Sequence, residues 1–163
     1  MRIVELCVLW VNRASEIAVI NAYISLVVLI SAAVFFRYAL NNSLVWAEEI
    51  ARYLFIWITF LGAGLGVGKN VHVGVDAVTI KLSVNLQWRV KLFVNIGVIA
   101  FLGVLIIYGA KFTIFGMAAK SMVSEIPMGY VYLAAPVGGA VMFSNVMIEI
   151  LHLLRGRSKQ GGN

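Results

Sequence analysis

The chain contains one cysteine, Cys7, and two histidines, His72 and His152, in 163 residues. A single cysteine excludes an internal disulfide and a paired redox motif, and so few Cys and His put a closed Cys/His metal site out of reach. Charge is equally scarce: Asp, Glu, Lys and Arg make up 12% of the chain, against 62% hydrophobic residues and a mean hydropathy of +0.96. The apolar share of a soluble domain is about 45–50%, so the solvent of this protein is a bilayer. The net charge of +6 calls for no nucleic acid partner, because anionic lipid at the inner face accounts for most of its asymmetry.

Four stretches are long enough to cross, at about 20 residues each. They run over residues 17–36, 48–68, 92–110 and 126–148. The expected fold is an all-α membrane protein, a single domain of four transmembrane helices with short amphipathic interfacial helices and no internal repeat. Basic residues near span ends are retained on the cytoplasmic side. With the N-terminus inside, the inner segments hold Arg2, Arg13, Lys69, Lys81, Arg89, Lys91, Arg155, Arg157 and Lys159, and the outer ones only Arg37, Arg52, Lys111 and Lys120. Both termini are therefore expected in the cytoplasm. The opening MRIVELCVLWVNRASE lacks the pattern of a cleavable signal and is expected to lie along the inner surface, anchored by Trp10. Residues 156–163 are expected to form a disordered tail.

The most informative segment is WAEEIARYLFIWITFLGAGLGVGKNVHVGVD, from Trp46 to Asp76. On a helix Arg52 can face Glu48 one turn back and Glu49 across a shorter diagonal, a self-neutralising rim that Arg37 can join. No charge follows until Lys69, and the 21 residues from Glu48 to Gly68 reach about 31 Å, close to the hydrocarbon thickness. Gly62/Gly66 and Gly64/Gly68 are each four apart, the small-residue spacing that lets helices approach closely in lipid. Val71 to Leu86 reads as an amphipathic helix on the cytoplasmic surface, followed by Trp88 at the interface. At the last span Ser124 can cap, Pro127 sits in the first turn, and the interior Pro136 kinks the helix and frees the Tyr132 carbonyl.

Sites for chemistry are missing from this pattern. A chain that carries an ion or anion itself exposes polar groups near the midplane. Here Ser25, Ser31, Asn95, Ser144 and Asn145 converge at no single depth, and no broken helix recurs in duplicate. His72 and Asp76, four apart, fit a surface pair that orders a turn, and a carboxylate dyad for acid/base work lacks a cleft. The chain reads as an accessory membrane subunit without catalytic, substrate-binding or metal residues. The rival readings are a small self-assembling channel or exporter and a membrane-bound enzyme. The first requires a polar stripe at a pore, the second clustered His, Cys or Asp near one face, and neither pattern is visible.

The residues resemble the small membrane subunit of tripartite ATP-independent periplasmic (TRAP) transporters, the DctQ-like family. The resemblance is carried by Trp46 with Glu48, Glu49 and Arg52; Trp57 with Phe60-Leu61-Gly62-Ala63; the Lys69 to Asp76 turn; Trp88-Arg89; and Ile126-Pro127 with Tyr130 to Gly138. It implies a bacterial inner-membrane complex with a large carrier subunit and a periplasmic solute receptor. Uptake would be of organic acids such as sialic acid or C4-dicarboxylates and driven by sodium. It further implies that sodium binds in the large subunit, that this chain needs no cofactor, and that it braces the carrier's scaffold and helps dock the receptor. Arg37, Trp46, Glu48, Glu49, Arg52, Trp57, Gly62, Gly66, His72, Asp76, Pro127, Pro136 and Gly138 are the expected interface or structural residues.

Overall fold

The computed structural model describes residues 2–70 and 84–160. They form α1 (Arg2–Ala39), α2 (Val45–Asn70), α3 (Val84–Gly116), the single turn α4 (Gly129–Tyr132) and α5 (Ala134–Gln160). Among the described residues there is no strand, only an isolated antiparallel bridge between Lys120 and Pro127. Four helical stretches have membrane length and composition: Glu5–Ala39, Val45–Gly68, Leu86–Gly116 and Gly129–Leu154. Each contains the expected apolar run, except that residues 126–128 belong to the loop before the last helix.

The ends differ from expectation. Residues 2–16, expected along the inner surface, continue into the first membrane helix without a break. No glycine or proline interrupts this run, so the helix propagates for 38 residues. Its length is about 57 Å, well beyond one hydrocarbon core. At the other end, α5 continues to Gln160, past residue 156 where the tail was expected to begin. Of the surface helix expected from Val71 to Leu86, residues 71–83, with His72 and Asp76, lie outside the described residues, and residues 84–86 belong to the start of α3.

In space the helices lie in the order α1, α2, α5, α3, with α1 also touching α5. The most completely buried side chains are mostly small or β-branched, Ala47, Ala134, Val131 and Val146 at no more than 3% exposed, joined on α3 by Leu102 at 2% and Asn95 at 1%. Large apolar side chains such as Phe93 and Phe115 point outward, as lipid solvation allows. Between α1 and α2 the chain turns through Asn41, whose φ of 48° is a left-handed conformation that asparagine tolerates. The Asn42 N–H reaches back to the Phe36 carbonyl at 3.1 Å.

Candidate functional site

The two acids of the rim cluster turn to different partners. Glu48, in the first turn of α2, pairs with Arg37 near the end of α1, and both side chains are about half exposed. The expected pairing of Glu48 with Arg52 along the helix is therefore corrected. The α1–α2 turn brings Arg37 to the carboxylate from the neighbouring helix, and Arg52 is exposed and without an ion pair among the described residues. Trp46 lies half-exposed beside this turn.

Glu49 turns the other way and is 6% exposed. Its Oε2 accepts the Ser124 N–H at 2.8 Å and the Ser121 hydroxyl at 3.3 Å. Ser121 Oγ in turn accepts the Ile126 N–H at 3.1 Å. The loop from 117 to 128 closes on itself through Ser121 N–H to Ile126 O at 2.9 Å and Met128 N–H to Ala119 O at 2.8 Å. A carboxylate on α2 thus fixes the loop between α3 and α5. Ser124 does not cap the last helix as expected: its hydroxyl is buried without a partner, and its backbone N–H is committed to Glu49. Met128 occupies the cap position of α4 without a side-chain capping bond; its Sδ instead accepts the Tyr53 hydroxyl of α2 at 3.5 Å, and Pro127 precedes it in the bridge to Lys120.

Pro136 is buried in the first turn of α5 and, as expected, inside the last span, which runs from Gly129 to Leu154. Only Leu133 separates α4 from α5; it keeps helical angles, donates its N–H to Gly129 O at 2.9 Å and accepts the Val137 N–H at 3.1 Å, so the two pieces form one span. Pro136 packs on Gly109 of α3, where a Cβ would meet its ring at 3.0 Å. Trp57 reaches across from α2 and donates Nε1–H to the Tyr130 carbonyl at 3.2 Å. Trp88, expected as an interfacial anchor, also ties α3 to α5 by donating to Leu153 O at 3.3 Å.

The glycine steps separate into two faces. A Cβ on Gly138 of α5 would lie 2.7 Å from the Phe60 carbonyl oxygen, and one on Gly64 would lie 2.9 Å from Val141 Cγ1. A Cβ on Gly68 would lie 3.0 Å from the Asn145 side chain. Gly64/Gly68 is therefore the face closed within the chain, whereas a Cβ at Gly62 or Gly66 meets nothing within 4 Å.

One polar junction was not foreseen. Asn12 and Asn145 exchange amide hydrogen bonds at 2.8 and 3.0 Å, and Asn145 Nδ2 also donates to Gly64 O at 3.1 Å. Asn12 fell outside the expected first span, so nothing in the apolar pattern linked it to Asn145. Other polar side chains in the spans turn back on their own helices: Asn21 to Ile17 O, Thr59 to Phe55 O, Thr113 to Gly109 O and Ser144 to Val141 O. Asn95 of α3 is the exception, 1% exposed with its Nδ2 lacking a hydrogen-bond partner among the described residues. Among the described residues no group of three His, Cys, Asp or Glu could hold a metal. The crevices between helices are lined almost wholly by apolar side chains.

This is the build of a multi-pass membrane subunit most of whose bonded polar groups serve its own assembly. Residues 26–156 match the family described as tripartite ATP-independent periplasmic transporters, DctQ component, and the chain belongs to that family. It is 31% identical over 92% of its length to a TRAP transporter small permease protein of Haemophilus influenzae, covering 96% of that relative. It is 34% identical to the C4-dicarboxylate TRAP transporter small permease protein DctQ of Rhodobacter capsulatus, over 61% of this chain and 45% of that one. It is 24% identical to the sialic acid TRAP transporter permease protein SiaT of another H. influenzae strain, over 91% of this chain but 24% of that longer one. The protein is a non-enzymatic transport component, and membership of a tripartite system implies association with a larger permease.

Proposed function

We propose that this chain is the fixed, bracing subunit of a sodium-driven organic acid transporter in the bacterial inner membrane, with both termini in the cytoplasm. The observation that carries this reading is where the polar groups go: Asn12, Asn145 and Glu49 bind other parts of the chain, and the hydroxyls of Thr59, Thr113 and Ser144 bind their own helices. A solute path needs groups that replace lost hydration, and a brace needs groups that hold helices together. Solute and sodium sites then belong to the large subunit, and a periplasmic receptor delivers the acid. The match to a quarter of the longer SiaT chain supports tight association with the large subunit, because the equivalent segment there is joined to further permease sequence. Names of relatives include both C4-dicarboxylate and sialic acid, and either suits a subunit that does not select.

The loop held by Glu49 is the part offered to the receptor, with Met122 fully exposed at 99% and Lys120 and Glu125 forming a surface pair at 3.6 Å. Reconstitution tests the whole reading. Uptake in proteoliposomes should need this chain, the large subunit, the receptor and a sodium gradient together. Uptake by this chain alone would return the reading to a self-assembling channel or exporter.

A further inference from the structure

A crevice of about 380 Å³ opens between α1 and α2, lined by Leu26, Ile30, Ala51, Arg52, Phe55 and Ile56. Five of the six lining residues are apolar, and the sixth is the rim cation that has no ion pair among the described residues. The pairings already made explain why Arg52 is left over: Arg37 holds Glu48, and the 117–128 loop holds Glu49. No acidic side chain lines the crevice.

The order along the helices is that of a lipid. Arg52 is in the second turn of α2, and Phe55 and Ile56 follow one turn deeper, about 5.4 Å further along. Leu26 and Ile30 are themselves one turn apart on α1. A long cationic side chain so placed extends toward the headgroup level while its stem stays on apolar surface. From these relations the geometry points to a bound anionic phospholipid, its phosphate on the Arg52 guanidinium and an acyl chain along Leu26, Ile30, Phe55 and Ile56. Guanidinium matches phosphate with two parallel donors. A zwitterionic headgroup fits less well, since its ammonium would meet no acceptor among the crevice side chains. The inference needs only the membrane placement of the helices, and it holds whether or not the chain braces a carrier.

The test uses the full chain purified with its large membrane subunit and a phosphatidylglycerol carrying a photoreactive acyl chain. Labelling should fall on the α1 and α2 segments around Ile30 and Phe55, and unlabelled phosphatidylglycerol should compete better than phosphatidylcholine. Arg52→Gln should lower this labelling about tenfold, the loss expected for a hydrogen bond to a charged group, and Arg52→Lys, which keeps the charge but not the paired donors, should fall between that variant and the unaltered chain. Ile30→Trp keeps the charge, fills the crevice and should displace the chain, so it decides the matter independently if Arg52→Gln fails to assemble. Labelling unaffected by Ile30→Trp, or equal competition by phosphatidylcholine, would overturn the inference. So would loss of the large subunit from Arg52→Gln with labelling intact, which would make the crevice a protein contact.

Discussion

Asn12 and Asn145, 133 residues apart, each donate a side-chain amide hydrogen to the other's carbonyl, at 2.8 and 3.0 Å. The reciprocal pair joins α1 to α5, and the further bond from Asn145 to Gly64 O at 3.1 Å brings in α2. Gly64 matters here twice, because it lets α5 approach closely enough for its carbonyl to be reached. Three helices that are not all neighbours in sequence are thereby fixed at one level.

Removing this junction should loosen the bundle measurably. Interhelical hydrogen bonds in membranes contribute about 0.6 kcal/mol on average and up to about 1.7. Asn145→Leu, which loses both partners, should cost more than Asn12→Leu, which leaves the Gly64 bond in place. A double-mutant cycle on unfolding in detergent should give a coupling between the two positions. Additivity of the two substitutions would mean that the pair contributes no interaction energy.

The two glycine faces should respond in opposite ways. At Gly138 an added methyl meets the Phe60 backbone at 2.7–2.8 Å, and backbone cannot rotate aside, so Gly138→Ala should push α2 and α5 apart at about 1–3 kcal/mol. At Gly62 and Gly66 there is open space, so Gly62→Ala and Gly66→Ala should leave the chain's own stability unchanged or slightly raised through helix propensity. If that face meets the large subunit, the same variants will lower the yield of the complex. Co-purification and thermal unfolding together separate the two effects.

Much of this fold was legible because bilayer physics is blunt. A charge-free run of about 20 residues has few alternatives to a spanning helix, and the four apolar runs were read accordingly. Side-chain partners were harder. Glu48 and Arg52 satisfy a helix-spacing rule, but Arg37 arrives from another helix, and spacing along one helix does not register a neighbour brought in by a turn. The same limit explains Ser124, read as a cap because it precedes a helix, although its N–H is drawn to Glu49, 75 residues earlier. Gly62/Gly66 and Gly64/Gly68 are equivalent as spacings, and only the packing distinguishes them.

Glu49 should control the order of the 117–128 loop. Glu49→Ala leaves the Ser124 N–H and the Ser121 hydroxyl without their acceptor, and the Ser124 amide should exchange severalfold faster, with faster protease nicking of the loop. Glu49→Gln retains one acceptor oxygen and should lie between. Ser124→Ala removes a buried hydroxyl that has no partner while keeping the N–H bond, so it should be neutral or stabilising. A strong loss of stability in Ser124→Ala would show that the hydroxyl has a role the geometry does not reveal.

The Arg37–Glu48 pair is half exposed, and such pairs contribute about 0.2–1 kcal/mol. Arg37→Glu should therefore destabilise the α1–α2 turn only modestly, and adding Glu48→Arg should recover most of the loss. A much larger effect, with recovery in the double variant, would mean that the pair sits in a drier setting than its exposure implies. Unfolding midpoints of the two single variants and the double variant distinguish these outcomes.

The proposed orientation, with both termini in the cytoplasm, can be read with thiols. Cys7 is the chain's one cysteine, so Cys7→Ser gives a blank background. Met122 is 99% exposed in the 117–128 loop, at the bundle end that carries Arg37 and Glu48. If the basic-rich end is cytoplasmic, Met122→Cys should react with a membrane-impermeant maleimide in cells whose inner membrane is intact. A cysteine appended after Asn163 should react only after permeabilisation. The loop is held by Glu49 from α2 rather than by lipid, so reactivity at residue 122 reports its side of the membrane directly. The reverse labelling pattern would invert the bundle, move the 117–128 loop to the cytoplasm and remove the basis for its contact with a periplasmic receptor.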